Sequence, residues 1–342
     1  MKFYLRYCCA MCFALISFLL APPQRAQAQT REAYVAQNAD KTMLTFYYDD
    51  QRATRTGKSW GIEETKKEGD DTIPAWAGTQ DVGDSTTARV VFDASFRDFR
   101  PTTTAKWFYH CKVLTKIEGL EYLNTAEVKD MSSMFWGCSA LTSLDLKNFN
   151  TQNVTDMRYM FSGCSGLPSL DLSHFDTQNV TYMYEMFSGC SGLTSLDLSH
   201  FNTQNVTDMQ SMFSGCSGLT SLDLSHFNTQ NVTDMIEMFK GCSALTTINS
   251  NTAWQCPESY SMFADCWQLT GAVTYDENET DVTMANPETG YFTAKSTAVE
   301  SVRFGADGVQ HIYTLQGKRV REAWKHLPAG VYVVNGKKTV KP

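Results

Sequence analysis

FDTQNVTYMYEMFSGCSGLTSLDLSH (Phe175 to His200) is followed at once by FNTQNVTDMQSMFSGCSGLTSLDLSH (Phe201 to His226). This 26-residue unit recurs from about Asn124 to Ser250, and Cys138, Cys164, Cys190, Cys216 and Cys242 mark its beat. A fixed period of this length implies a solenoid, in which each unit hides its apolar face only against its neighbours. Such a chain presents a long stacked surface. That points to binding before catalysis.

Within one unit, Asn205 or Thr207 is placed to cap a short helix, with Asp208 in its first turn where the helix dipole favours negative charge. Met209, Met212 and Phe213 follow the i, i+3, i+4 spacing of a buried helical stripe, and Gly215 stops it. Leu219-Thr-Ser-Leu222-Asp-Leu224 then has the Leu-x-x-Leu-x-Leu skeleton of a leucine-rich repeat, with alternate residues inward as a strand requires. The fold class predicted is an α/β solenoid: a leucine-rich-repeat-like stack of 26-residue strand-helix units with a parallel sheet on one face. A small β-rich N-terminal cap and a C-terminal β-sandwich module flank it.

Stacking turns equivalent residues into rows. The outward strand positions give Asp145, Asp171, Asp197 and Asp223, flanked by Ser143, Ser169, Ser195 and Ser221 on one side. Lys147, Ser173, Ser199 and Ser225 run along the other. Stacked like charges cost stability, so a repeated Asp invites a binding role. The plainer reading is that duplication copied a tolerated solvent-facing Asp.

The string V-T-D-M-x-x-M-F-x-G-C-S-x-L-x-S-L-D-L resembles the repeat of the BspA-like leucine-rich surface proteins of Gram-negative anaerobes, and related repeats occur on mycoplasma surfaces. Val90-Val-Phe-Asp93-x-Ser95-Phe96, Arg100-Pro-Thr102 and Trp107-Phe-Tyr109-x-Cys111 resemble the segment preceding the repeats in that family. The resemblance spans roughly Phe46 to Phe292. It implies an exported surface protein, some relatives of which adhere to host matrix proteins or other bacteria, and it carries no catalytic residue across.

Lys2 and Arg6, the apolar run Tyr7 to Ala21 and the Ala26-Gln-Ala28 site describe a secretory signal peptide, residues 1–28. The run is short for a membrane span, so no transmembrane segment is expected after cleavage. Losing Lys2, Arg6 and Arg25 takes the 29 basic residues to 26 against 37 acids, a net charge of −11. Nucleic acid is a poor partner for such a chain. From Asn124 to Asn249 only Lys129, Lys147, Arg158 and Lys240 oppose twelve acids, whereas nine Lys or Arg oppose three acids after Thr293. The expected organisation is a β-rich cap over 29–106, the solenoid over 107–274 with worn terminal rungs at 107–123 and 254–274, a linker over 275–296, and the C-terminal module from 297. Gln51 to Thr86 reads as a polar, loop-rich stretch.

That module reads as two hairpins, Gln310 to Val320 and Gly330 to Val340, the second about the turn pair Asn335-Gly336. I-Y-x-L-Q-G-K-R-V and G-V-Y-V-V-N-G-K-K resemble the C-terminal sorting domain read by the type IX secretion system. The resemblance gives Gln316, Gly317, Lys318, Arg319, Gly330, Tyr332, Asn335 and Gly336 as sorting positions and that machinery as a partner. A β module without a sorting role is the alternative.

Chemistry fares poorly. The repeated Cys suits a small buried apolar site, since parallel rows point their side chains alike and serve a disulfide badly; Cys256–Cys266 is the best-placed pair. Cys 26 residues apart lacks the close pairs of a zinc site. Asp197, Ser199 and His200 spell a triad on paper, but Ser199 and His200 point to opposite sides of a strand. Asp276 to Asp281 fails as a calcium loop at its sixth and twelfth places, Asp281 and Pro287. Glu63, Glu64, Asp70 and Asp71 would be the carboxylates of a small N-terminal hydrolase. No cofactor is expected. The reading is a non-enzymatic protein, secreted or on the outer surface of a Gram-negative cell. It recognises a host matrix protein, a glycan or a bacterial surface protein through the repeat sheet face. Side-by-side self-association without a ligand is the alternative.

Overall fold

The computed structural model describes residues 30–295, 312–314, 319–320, 330–334 and 337–341. The signal-peptide reading therefore lies outside the described residues. At the N-terminal end, β1 (Glu32–Gln37), β2 (Met43–Asp49), β3 (Lys58–Gly61), β6 (Arg89–Phe92) and β7 (Lys116–Glu118) form one sheet in the order β3-β1-β2-β6-β7. β1 pairs antiparallel with β2 and β3, whereas β2-β6 and β6-β7 are parallel. Alternate residues Leu44 and Phe46 of β2 point into the core, as period-two patterning demands. Phe46 stacks on Phe92 and Trp107, with centroids 4.6 and 5.3 Å apart, and so joins the cap to the repeats. The stretch from Gln51 to Thr86 is more ordered than its polarity suggested: besides β3 it holds the hairpin of β4 (Thr65–Glu68) and β5 (Asp71–Pro74).

The repeats stack, but not as strand-helix units. There is no α-helix among the described residues. Where helices were expected, the chain makes turns in which alternate amides point in different directions. Met131, Ser133, Phe135 and Gly137 donate to Asp156, Arg158, Met160 and Ser162 of the next rung. Met134, Trp136 and Cys138 instead donate three residues back within their own rung. The third residue of each turn is left-handed, with φ between 51° and 57° at Ser133, Tyr159, Glu185, Ser211 and Glu237. A single helical turn is marginal by itself, and here the neighbouring rung offers its amides better acceptors. The Met-x-x-Met-Phe spacing is satisfied either way, because a three-residue turn also returns those side chains to one side.

The parallel sheet is likewise smaller than predicted. β8 (Ser221–Asp223), β9 (Thr247–Asn249) and β10 (Phe292–Thr293) pair in parallel in the order β10-β9-β8. In earlier rungs the Leu-x-x-Leu-x-Leu segment carries no named strand, and the rungs are joined by single parallel bridges. These run Thr103–Asp130–Asp156–Tyr182–Asp208–Asp234–Glu258, and a further bridge joins Asp84 to Cys111. Asn205 and Thr207 cap nothing: Asn205 Nδ2 donates to Gln178 O at 2.8 Å, and Thr207 Oγ1 donates to Thr181 O. Thr151, Thr177 and Thr203, all buried, each donate to a main-chain carbonyl of the next rung at 2.9 Å and accept that residue's amide at 2.8 Å. Backbone groups of each rung are thus satisfied by the next.

The core is a set of columns. Phe108, Phe135, Phe161, Phe187, Phe213, Phe239 and Phe263 stack with centroids 5.4–5.8 Å apart. Beside them, the thiols of Cys138, Cys164, Cys190, Cys216, Cys242 and Cys266 donate at 3.0–3.1 Å to the carbonyl of a Phe one rung earlier. All eight cysteines from Cys111 to Cys266 are unbridged, Cys256 and Cys266 included, and only Cys256 is not fully buried. Burial pushes the thiols up, to about 12 at Cys190 and Cys266. Since the thiolate is the reactive form, a disulfide-exchange reagent at pH 8 is expected to titrate, among the cysteines from Cys111 to Cys266, at most the Cys256 thiol in the native protein and all eight after denaturation. Fast reaction of several native thiols would contradict this packing.

One rung departs from the pattern. His110 stands where the later rungs carry Gly137, Gly163 and Gly189, and it adopts their left-handed φ, at 51°. Its ring packs on Tyr109 and Trp136, and both ring nitrogens are shielded without a hydrogen bond. Burial, then Lys112, hold the imidazole below its ordinary value, with Glu68 opposing. The folded state therefore binds fewer protons than the unfolded one, so stability is full above the unfolded value of ~6.5 and falls as pH drops below it. His110→Asn, which tolerates the same φ, is expected to flatten the melting temperature between pH 7 and 5. An unchanged pH slope in that variant would show the ring is not its source.

In the C-terminal module, β11 (Ile312–Thr314), β12 (Arg319–Val320), β13 (Gly330–Val334) and β14 (Lys337–Lys341) form a single antiparallel sheet in the order β12-β11-β13-β14. Both expected hairpin pairings are present, with Val334 opposite Lys337. The described residues make this one sheet, without the second layer of the predicted sandwich.

Candidate binding surface

The stack exposes two long faces. On the first, Ser143, Asp145 and Lys147, Ser169, Asp171 and Ser173, and Ser195, Asp197 and Ser199 all stand exposed on successive rungs. Ser221 is exposed too, while Asp223 and Ser225 are half-buried. Leu146, Leu172, Leu198 and Leu224 alternate with them and are buried, which is why the polar residues must face out.

Each Asp of the row also holds its own backbone. Oδ1 of Asp145, Asp171, Asp197 and Asp223 accepts the amide of Lys147, Ser173, Ser199 and Ser225 at 2.9–3.2 Å. This local turn fixes where the chain leaves the rung. Hydrogen bonds, from Ser173 at Asp171 and from the Ser199 amide at Asp197, hold these carboxyls below the usual range. Asp145 is held down by Lys147, its ion-pair partner at 2.8 Å. At Asp223 burial pushes the other way, but Lys295 and Ser225 carry the group down. Lys295, just beyond β10, ion-pairs with Asp223 and so covers the last carboxylate of the row.

His174, His200 and His226 are exposed beside the row. Among the described residues no three His, Cys, Asp or Glu side chains converge as metal ligands. Asp197 spends its carboxylate on the Ser199 amide. Of the sorting positions, Gln316, Gly317, Lys318, Asn335 and Gly336 lie outside the described residues; Arg319 lies in β12, and Gly330 and Tyr332 in β13.

The second face, made by the turns, was not singled out in the sequence. Its bridge row is Asp130, Asp156, Tyr182, Asp208, Asp234 and Glu258. Trp136 and Tyr159 stack there with centroids 4.3 Å apart at 9°, and Tyr184 meets Tyr159 edge-on at 4.8 Å. Tyr182 is 43% exposed. Lining up the rungs shows the signal that was available. Ser169-Leu-Asp-Leu-Ser-His174 recurs unchanged at 195–200 and 221–226, while the turn residues Arg158-Tyr159, Tyr184-Glu185, Gln210-Ser211 and Ile236-Glu237 differ at every rung.

These observations define the class: a leucine-rich repeat chain whose rungs bond to one another and whose outward residues form rows. A family described as "Mycoplasma protein of unknown function, DUF285" matches residues 102–196 and 170–278, just over half of the 342 residues, and the chain belongs to that family. No curated protein matches. Solved structures with some similarity include a leucine-rich repeat protein from Bacteroides ovatus ATCC 8483, 15% identical, covering 70% of this chain and 69% of that one with a TM-score of 0.29. Another is a leucine rich cell surface protein from Faecalibacterium prausnitzii A2-165, 16% identical, covering 73% and 82% with a TM-score of 0.25. Among the described residues, no helix is long and apolar enough to cross a membrane.

Proposed function

We propose that this is a non-enzymatic protein of the cell surface or the secreted fraction that binds another macromolecule through the Ser-Asp-Ser rows. The observation that supports this reading is the row itself: exposed carboxylates at Asp145, Asp171 and Asp197 recur at one height on successive rungs. A partner with a matching repeat of basic or hydroxyl groups, such as a matrix protein, a glycan or a bacterial surface protein, would gain from every rung at once. The C-terminal sheet would serve as the type IX sorting module. The test is the triple change of Asp171, Asp197 and Asp223 to Asn. Asn keeps the side-chain oxygen that accepts the local amide, so the fold should stand. Binding to an array of matrix proteins, glycans and bacterial cells should weaken, and the wild-type signal should fall with salt. Equal binding by the triple variant would remove the acidic row from the function.

A further inference from the structure

We propose that the turn face of the rungs around Tyr159, Tyr182 and Tyr184 is a second docking surface, for an arginine- or lysine-bearing segment of another protein. It does not depend on the role of the Ser-Asp-Ser rows. The argument begins with cost. Tyr159 sits at φ 57°, a left-handed conformation that a bulky side chain adopts at a penalty, while Ser133 one rung before and Ser211 two rungs after fill the same site. Serine there leaves the turn and its bonds intact, so packing does not demand a tyrosine. A strained aromatic at a half-exposed position points to use.

The charges around it indicate the partner. Glu185 and Asp208 flank the tyrosines, and burial pushes both carboxyls up. Glu185 bonds to the Tyr184 hydroxyl but, like Asp208, makes no ion pair among the described residues. A half-buried carboxylate gains by acquiring a cation. The chain itself shows how one would sit. Arg158 lies with its guanidinium over the Tyr182 ring at 5.2 Å and donates through two nitrogens to the Asp156 carboxylate. A cation from outside, placed one rung on, would find Tyr184 and the carboxylates of Glu185 and Asp208 in the same combination of ring and acid.

The probe is a fluorescent ten-residue peptide of alternating arginine and glycine, titrated into the purified protein at 0.15 M salt. Saturable binding is expected. Tyr159→Ser with Tyr184→Ser should weaken it about tenfold, the loss of one to two cation–ring contacts, and Glu185→Gln with Asp208→Asn by a similar factor. Because serine occupies both tyrosine places in other rungs, and Gln and Asn keep the size of the acids they replace, melting temperatures should be retained. With Asp171, Asp197 and Asp223 already substituted by Asn, the effect of the tyrosine changes on peptide binding should persist in full, which separates this face from the first. No binding, binding indifferent to the tyrosines, or disappearance of the tyrosine effect in the Asp row variant would overturn the proposal. So would a neutral oligosaccharide binding at the tyrosines in place of the peptide.

Discussion

Phe187→Ala is expected to destabilise the protein by about 3–5 kcal/mol, the range for emptying a large aromatic site. The stack makes the upper part of that range the better expectation. Phe187 is fully buried and lies 5.8 Å from Phe161 and 5.7 Å from Phe213, so one deletion opens two interfaces. Rungs above and below can collapse into the gap only by breaking the bonds from Phe187 N to Met212 O and from Phe161 N to Met186 O. Stability in such a stack is mostly nearest-neighbour coupling. Denaturant unfolding should therefore lose cooperativity, with a shallower slope or two transitions, besides shifting its midpoint. Phe263→Ala, near the end of the column, should shift the midpoint while keeping one transition. A small shift at Phe187, under ~1 kcal/mol, would mean the column is not what couples the rungs.

Gly192→Ala should also destabilise. A Cβ on Gly192 would lie 2.3 Å from the Ser165 carbonyl oxygen and 3.0 Å from that of Leu167. Both obstacles are main chain, which cannot swing aside as a side chain can. Gly166 and Gly218 meet the same obstacle at 2.6 Å. Ala140 and Ala244 hold the equivalent place in the outer repeats, so a rung can shift enough to take a methyl group. Between two glycine rungs that shift has to be made against neighbours already stacked on both sides. Overpacking usually costs about 1–3 kcal/mol, and this single clash should fall in that range. The expected result is a soluble protein with a lowered melting temperature. An unchanged melting temperature would show that the rung spacing is more elastic than these contacts imply.

Much of this was written in the residues. The 26-residue beat placed Met209, Met212, Phe213, Cys216, Leu219, Leu222 and Leu224 in the core, and all are buried. It also put Asp145, Asp171 and Asp197 outside, because alternation about buried leucines leaves them no other direction. What could not be read was which backbone carries the pattern. The i, i+3, i+4 spacing fits a helix, but the amides of Met131, Ser133, Phe135 and Gly137 choose the next rung, and that choice exists only once rungs stack. Asn205 looked like a helix cap for the same reason: its amide group has a distant partner, Gln178 O, lying 27 residues back.

The candidate sites divide the same way. The Ser-Asp-Ser row followed from period and alternation, while Lys295, which covers Asp223, lies 72 residues on and was invisible until β10 paired with β9. Tyr159, Tyr184 and Trp136 read as scattered aromatics in separate copies; stacking sets Tyr159 within ring contact of both others. Sequence by itself determined the period, the inward set and the outward set, because burial of a repeated apolar stripe permits one orientation. The tertiary structure decided the turn geometry, the rung-to-rung bonds and the neighbours across rungs, because each depends on a partner group 24 to 30 residues away whose position local preference does not encode.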